Sequence, residues 1–402
     1  MKTRLFFLLL ITIGLLPSAM AAPTLAEVID AALQHHPDRL LPAARKRLAD
    51  GYRRQADALL GGDPAVALSA WNDMIGNDDG YREQQASLAL PLRPPGLRDA
   101  RRRQAELIDG EAEALTQRLR WQVAAGVLQR LWALHLAERE LALDVRQHAA
   151  AIALEKTVAR RVEAGELARS ELLLAQQERL TREVIVQDAR SALDKARADW
   201  LSFTGSSELP ASFTPTPLPA EASIDEDHPL LRPARLAMER AIAQRYETQI
   251  RRRENPVLSL YLKRDRGAAR DPYNEYVGAE ISIPFGTALH NAPALAEAAE
   301  QVEISRAAYA ETRRQLTLNL THARQELDRA RAALTLAQKR DQLAQQRLHM
   351  SERAFELGET GLYLLLQARG KAIDAARELD RSQIRHQRAI VEYNLALGAI
   401  PE

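Results

Sequence analysis

The groups with which this chain could do chemistry are histidines, carboxylates and hydroxyls, because the sequence contains no cysteine. That excludes thiol nucleophiles, iron–sulfur clusters, Cys-based zinc sites and disulfides. Nine histidines are present. They are scattered, and the adjacent pair His35-His36 opens no metal-ligand spacing. Two histidines gripping one ion from a helix need a one-turn separation, as in HExxH, and that pattern is absent. The GxxxxGK[ST] phosphate cradle, the GxGxxG dinucleotide turn and the GxSxG nucleophile elbow are absent too. Met74, Met238 and Met350 are too dispersed for a soft-metal relay. His35 and His36 read as a helix end near the middle of an elongated molecule. The expectation is a protein that is not an enzyme and holds no cofactor or resident metal.

Charge is balanced, with 55 basic and 54 acidic residues, so no net field draws the chain to nucleic acid. The basic runs Arg98-Asp-Ala-Arg-Arg-Arg103 and Arg251-Arg-Arg253 lack interleaved stacking aromatics. They read as helix-end solvation or as anchors near anionic headgroups, with solvation favoured.

Which elements would position these residues follows from the pattern of the whole chain. Lys2 and Arg4 precede an apolar run, Leu5 to Leu16, then Pro17 and the small residues Ser18-Ala19-Met20-Ala21. This is the pattern of a secretory signal peptide over 1–21, cleaved after Ala21. Beyond it the sequence repeats with an offset of 192 to 193 residues. His36-Pro37 returns as His228-Pro229, and the segment from Asp63-Pro64 returns from Asn255-Pro256. Leu90-Pro91-Leu92 meets Ile283-Pro284-Phe285, Gly165-Glu166 meets Gly358-Glu359, and Gly205 meets Gly398. The repeats span 22–205 and 228–402, joined by a proline-rich linker over 206–227.

Each repeat has one grammar. A helix comes first, near 24–60 and 229–253, and Thr24 ahead of Glu27 forms a capping-box pattern at the start of the first. Two period-two segments follow as a β-hairpin, over 64–92 and 256–285. Then come long proline-free runs, 96–209 and 294–400, each broken once, at Gly165 and at Gly358 to Gly361. Apolar residues recur by sevens, as in Leu336, Leu343, Met350 and Leu357, or Val302, Tyr309 and Leu316. Such narrow seams predict coiled-coil-like contacts. The class is α+β, mainly α. Four strands cannot close a barrel, and one chain cannot cover these seams; cyclic assembly of identical chains answers both.

In this order and duplication, the helix–hairpin–helix–turn–helix plan resembles the TolC family of outer-membrane factors. Leu90-Pro91-Leu92-Arg-Pro-Pro-Gly96, Ile283-Pro284-Phe285-Gly286 and the turn glycines Gly165 and Gly358 are its landmarks. The resemblance covers 24–398 and implies a homotrimer in outer-membrane lipid. Four strands per chain would build a twelve-stranded β-barrel, and the helices a periplasmic α-barrel. It implies an outer-membrane channel that passively conducts substrate of a tripartite efflux or type I secretion system. The partners would be a periplasmic adaptor protein and a proton-driven inner-membrane transporter, with no nucleic acid. The compact length looks like the heavy-metal efflux branch. The alternative is a periplasmic coiled-coil adaptor or scaffold without a pore.

The resemblance places adaptor docking at the helical tips, on Gly165, Glu166, Ser170, Phe355, Gly358 and Gly361. The aperture candidates are Glu171, Glu356, Glu359 and Gln367. The tips depart from the family pattern at Val162, Ala168, Gly361 and Leu364, where an aromatic, small hydroxyls and an acidic residue are usual. Glu356, Glu359 and Gln367 therefore stand in as the polar aperture residues of the second tip.

Overall fold

The computed structural model describes residues 23–400 apart from 77, 212, 252, 253, 286 and 287. The signal peptide, Gly286 and two arginines of the second basic run lie outside the described residues. The first repeat contains α1 (Leu25–His35), α2 (Leu41–Asp57), β1 (Ala65–Asn72), β2 (Arg82–Pro91), α3 (Leu97–Glu163) and α4 (Arg169–Thr204). The second contains α5 (Leu231–Ile250), β3 (Val257–Arg266), β4 (Asn274–Ser282), α6 (Ala288–Glu356) and α7 (Leu362–Ala396).

Thr24 caps α1 as its sequence pattern predicts. Its hydroxyl accepts from the Glu27 amide at 3.2 Å, and Glu27 returns the bond to the Thr24 amide at 2.7 Å. The single opening helix expected near 24–60 is in fact divided. A 3-10 turn over Pro37–Leu40 separates α1 from α2, because Pro37 has no amide to continue the α1 ladder and His36 before it is held extended. The His36 ring Nδ1 accepts from the Asp38 amide at 3.2 Å. His228 does the same one repeat later, its Nδ1 accepting from the Leu230 amide at 3.1 Å. The histidines before proline are thus helix caps, a role duplicated with the chain.

α3 has 67 residues and α6 has 69, so each runs for about 100 Å at 1.5 Å per residue. α6 begins before the proline-free run and contains Pro293. Pro293 lies in the second turn of the helix, where its missing amide leaves the Leu289 carbonyl without its usual i→i−4 donor. α4 returns along α3, and α7 along α6. The two halves meet at mid-height, where Ile29, Val127, Leu128, Leu131, Trp200 and Val391 share one core. The linker ties into α7 there. Asn394 accepts from the Leu218 amide at 3.0 Å and donates to the Thr216 carbonyl at 2.8 Å, while the Tyr393 hydroxyl donates to the Pro219 carbonyl at 2.7 Å.

His228 lies in this belt, 2% exposed. Burial holds its pKa below the ordinary value, partly offset by the Ala396 and Leu395 carbonyls. Burial lowers His135 and His386 likewise. Glycines 205 and 398 end the two return helices at φ +72° and +87°. Each brings the chain hard against a histidine ring, that of His35 or His228.

The first basic run is absorbed within the chain. Arg101 and Gln104 reach Glu247 of α5, the glutamine at 2.5 Å. Arg102 pairs with Asp57 at 2.8 Å, and this bond holds the Asp57 carboxyl below its usual range. The solvation reading of these arginines therefore gives way to helix-to-helix pairing.

Candidate functional site

The four strands form one antiparallel sheet in the order β1-β2-β3-β4. The two hairpins thus join through the β2–β3 pair. Residues directly opposite one another share a face, so the register sorts the side chains without further assumption. Val66 pairs with Leu88 and Leu68 with Ala86; Leu88 pairs with Leu260 and Ala86 with Leu262; Leu260 pairs with Ala279 and Leu262 with Val277. Leu90, Leu258 and Ile281 extend the same row. This face is an unbroken apolar band.

The other face carries Ser69, Gln85, Ser87, Tyr261, Lys263 and Glu280, joined by polar contacts. Tyr261 donates to Glu280 at 2.5 Å. The Lys263 ammonium lies 3.0 Å from Glu83 and 3.3 Å from Asp265. Leu68 is 79% exposed and Val277 85%, because no helix is laid over the band. In water such a band is a large uncompensated cost. In hydrocarbon it is the outer wall of a barrel with a polar interior. The edge strands β1 and β4 present unpaired backbone, which a neighbouring copy would satisfy. Beyond β4, Ile283 and Phe285 remain exposed at the helical end of the sheet, at the level of an interface belt.

At the far end of the helices are two matching turns. Gly165 and Gly358 both sit at φ +75° with nothing near an added Cβ. The Glu166 amide donates to the Arg161 carbonyl at 2.8 Å, and the Glu359 amide to the Ala354 carbonyl at 2.9 Å. Both are Schellman-type helix ends, in which glycine is chosen for the left-handed residue. Gly361 differs. It has φ −78° and precedes α7 as its N-terminal flank.

The tips pack on each other. Leu154, Val158, Phe355, Leu362 and Leu365 share one core drawn from both repeats. Arg161 locks it: its guanidinium donates to the Phe355 carbonyl at 3.1 Å, lies 5.1 Å over the Phe355 ring and pairs with Glu166 at 3.0 Å. Glu352 and Arg369 pair at 3.0 Å beside it. An open groove of about 610 Å³ lies here, with Glu166, Glu352 and Glu356 on its walls.

Among the sequence candidates, Glu166, Phe355 and Glu356 are therefore brought together. Ser170, Glu359 and Gln367 are exposed and apart from them. Glu171 turns inward, and its Oε2 is buried without a hydrogen-bond partner among the described residues. Arg161, Glu352 and Arg369 escaped the sequence reading. No motif marks them, and the contact between repeats that gives Arg161 its role is invisible in a linear pattern. Higher up, α3 and α7 carry an ion-pair ladder: Asp144 with Arg377 at 2.5 Å, Glu140 with Arg381 at 2.6 Å and Arg139 with Asp380 at 3.1 Å. The second heptad seam of α6, Leu336, Leu343, Met350 and Leu357, is 66–71% exposed. Among the described residues nothing covers it.

No family model matches the sequence. The chain is 26% identical over 318 residues to the cobalt-zinc-cadmium resistance protein CzcC of Cupriavidus metallidurans, covering 76% of this chain and 73% of that protein. Its fold is similar to that of the outer membrane protein VceC of Vibrio cholerae, with TM-score 0.75 and 18% identity over 93% of this chain and 96% of that one. It is similar also to CusC, with TM-score 0.74 and 17% identity over 94% and 92%. The Campylobacter jejuni CmeC outer membrane channel matches with TM-score 0.71 and 14% identity over 93% and 85%. With the duplicated plan and the two-faced sheet, a sequence relative matching over three quarters of this chain and this fold over nearly all of it, the chain has the fold of these outer-membrane channels, as the TolC-family resemblance leads one to expect.

Proposed function

We propose that this protein is the outer-membrane channel of a tripartite efflux system. Three copies would close twelve strands around the polar sheet face, with the apolar band in lipid, and their helices would line a periplasmic tunnel. Substrate passes down its own gradient or is pushed from below; an inner-membrane transporter, proton-driven, supplies the energy, and an adaptor docks at the tips. The observation that carries this reading is the segregation of the sheet into one apolar and one polar face. A pore-free scaffold would have no use for it.

The exported substrate is proposed to be a transition-metal cation, on the likeness to a cobalt-zinc-cadmium resistance protein. The tips are proposed as the docking and closing points, with Gly165, Glu166, Ser170, Phe355, Gly358 and Gly361 toward the adaptor, and Glu171, Glu356, Glu359 and Gln367 toward the aperture.

The test is detergent extraction of outer membranes, mass determination of the purified species and planar-bilayer recording. A conducting trimer whose opening changes in Glu356→Gln or Glu359→Gln is expected. A soluble monomer without conductance would refute the channel. Deletion of the gene should sensitise the host to cobalt, zinc or cadmium; unchanged tolerance in a host with no redundant channel would refute the metal assignment alone.

A further inference from the structure

The strand ends farthest from the helices carry a second pattern, set by the same alternation. Arg82 is followed by Glu83, and Arg264-Asp265-Arg266 alternates in sign, so the register sends arginines to the apolar face and carboxylates to the polar one. Arg82 and Arg266 stand directly opposite each other across β2 and β3. Like charges in such a pair oppose sheet formation unless an anion lies between or above them.

These arginines are also held in place. The Tyr273 ring carries the Arg264 guanidinium at 4.1 Å and that of Arg266 at 5.2 Å. Arg266 donates to the Gly80 carbonyl at 3.2 Å and to the Ala269 carbonyl at 3.3 Å, which ties the two outer loops together. Gly80 permits this closeness, since a Cβ there would lie 2.6 Å from the Ala269 amide nitrogen. Against three guanidinium charges, Glu275 approaches Arg264 at 3.9 Å. Arg82 has no ion-pair partner among the described residues. The result is a preorganised cationic rim immediately above an apolar band.

We propose that Arg82, Arg264 and Arg266 form a binding site for the phosphate of an outer-leaflet glycolipid of the lipid A class. The occupant follows from continuity. A ligand seated here must present an anion at the height of the rim and acyl chains along Leu262, Val277 and Ala86 below it. Guanidinium groups pair with phosphate through parallel hydrogen bonds and are weakly hydrated, which suits a headgroup boundary. The site rests on the reading of the sheet as a membrane barrel, and it assigns the barrel a specific lipid partner that also neutralises the Arg82–Arg266 repulsion.

The test is native mass spectrometry of the full-length, detergent-extracted trimer titrated with bis-phosphorylated lipid A, its dephosphorylated form or inorganic phosphate. Wild-type protein should retain the phosphorylated lipid about tenfold better than the dephosphorylated one. Arg82→Gln should lessen that preference, and the combined R82Q/R264Q/R266Q change should abolish it. Arg98→Gln, at the helical end of the sheet, should leave it intact. Because Arg266 supports the loops, Arg82→Gln, whose side chain has no hydrogen-bond or ion-pair partner among the described residues, is the decisive variant. Equal retention of both lipids, unchanged preference in Arg82→Gln, or displacement of the lipid by inorganic phosphate would overturn the site. Planar-bilayer conductance of the same samples separates the two readings. A conducting trimer indifferent to lipid phosphate refutes only the rim, whereas a protein that neither inserts nor conducts refutes the barrel beneath it.

Discussion

The ladder between α3 and α7 permits a test in which burial alone sets the outcome. Its three rungs share chemistry but differ in exposure. The Asp144 side chain is 6% exposed and Arg377 25%; Glu140 and Arg381 are 25% and 46%; Arg139 and Asp380 are 55% and 21%. Removing one partner of a buried pair strands a charge and costs about 3–5 kcal/mol, whereas an exposed pair is worth about 0–1 kcal/mol. Asp144→Ala is therefore expected to cost about 2–3 kcal/mol, below the buried limit because Arg377 keeps some access to water. Arg139→Ala should cost less than about 0.5 kcal/mol.

In double-mutant cycles the coupling should be about 2 kcal/mol for Asp144–Arg377, near 1 for Glu140–Arg381 and close to zero for Arg139–Asp380. The assay is denaturant unfolding of the purified protein in detergent, followed by helical circular dichroism at low and high salt. Raising salt should erase the outer rungs and spare the inner one, because screening acts on solvated charges. Asp144 lies 19 residues before the end of α3, about 28 Å above the tip at 1.5 Å per residue. Breaking its rung should thus loosen the union of the repeats without touching the docking turns. Equal couplings across the three rungs, or an inner rung erased by salt, would refute the argument from burial.

Other perturbations separate backbone strain, protonation and membrane exposure. Gly165→Ala and Gly358→Ala should each cost about 1–2 kcal/mol, the penalty of a left-handed alanine in open space. Gly398→Ala should cost about 3 kcal/mol or more, because its Cβ would also lie 2.8 Å from the His228 ring and Pro229; thermal melts of the three glycine variants check the ranking. Histidines 135, 228 and 386 have folded pKa values held below the ordinary 6.5. The unfolded chain then binds more protons, so stability present above that value falls as pH drops through it toward the folded pKa values. His228→Gln should flatten this slope as pH falls below the ordinary 6.5, and a parallel slope in the variant would refute the assignment. Val277→Arg on the apolar band should block stable insertion at a cost of about 2–4 kcal/mol, while Ser87→Arg on the polar face should insert normally; outer-membrane yield reads the difference.

Much of the molecule is legible in the sequence because its elements are set by local rules. Proline-free heptads specify helices of fixed length, and glycine followed by a polar residue ends them at 165 and 358 with the same Schellman geometry. Period-two segments specify strands, and strand parity alone sends Leu260 and Lys263 to opposite faces. The division of the opening helix was missed, although Pro37 and the His36 cap encode it locally. The duplicated histidine–proline step was visible, but its use as a ring-nitrogen cap was not.

What only the tertiary structure decides is which distant segments share a surface. The β2–β3 pairing joins residues some 180 positions apart, and it alone makes one apolar band from two hairpins and sets Arg82 against Arg266. The packing of α3 on the second repeat turns Arg161 into a lock on Phe355 of α6 and gives Asp144 its partner Arg377 on α7, though nothing near either residue predicts it. Sequence fixes periodicity because propensity and alternation act over a few residues. Contacts between repeats depend on how whole helices are rotated and offset, and that is settled by the packing of their faces.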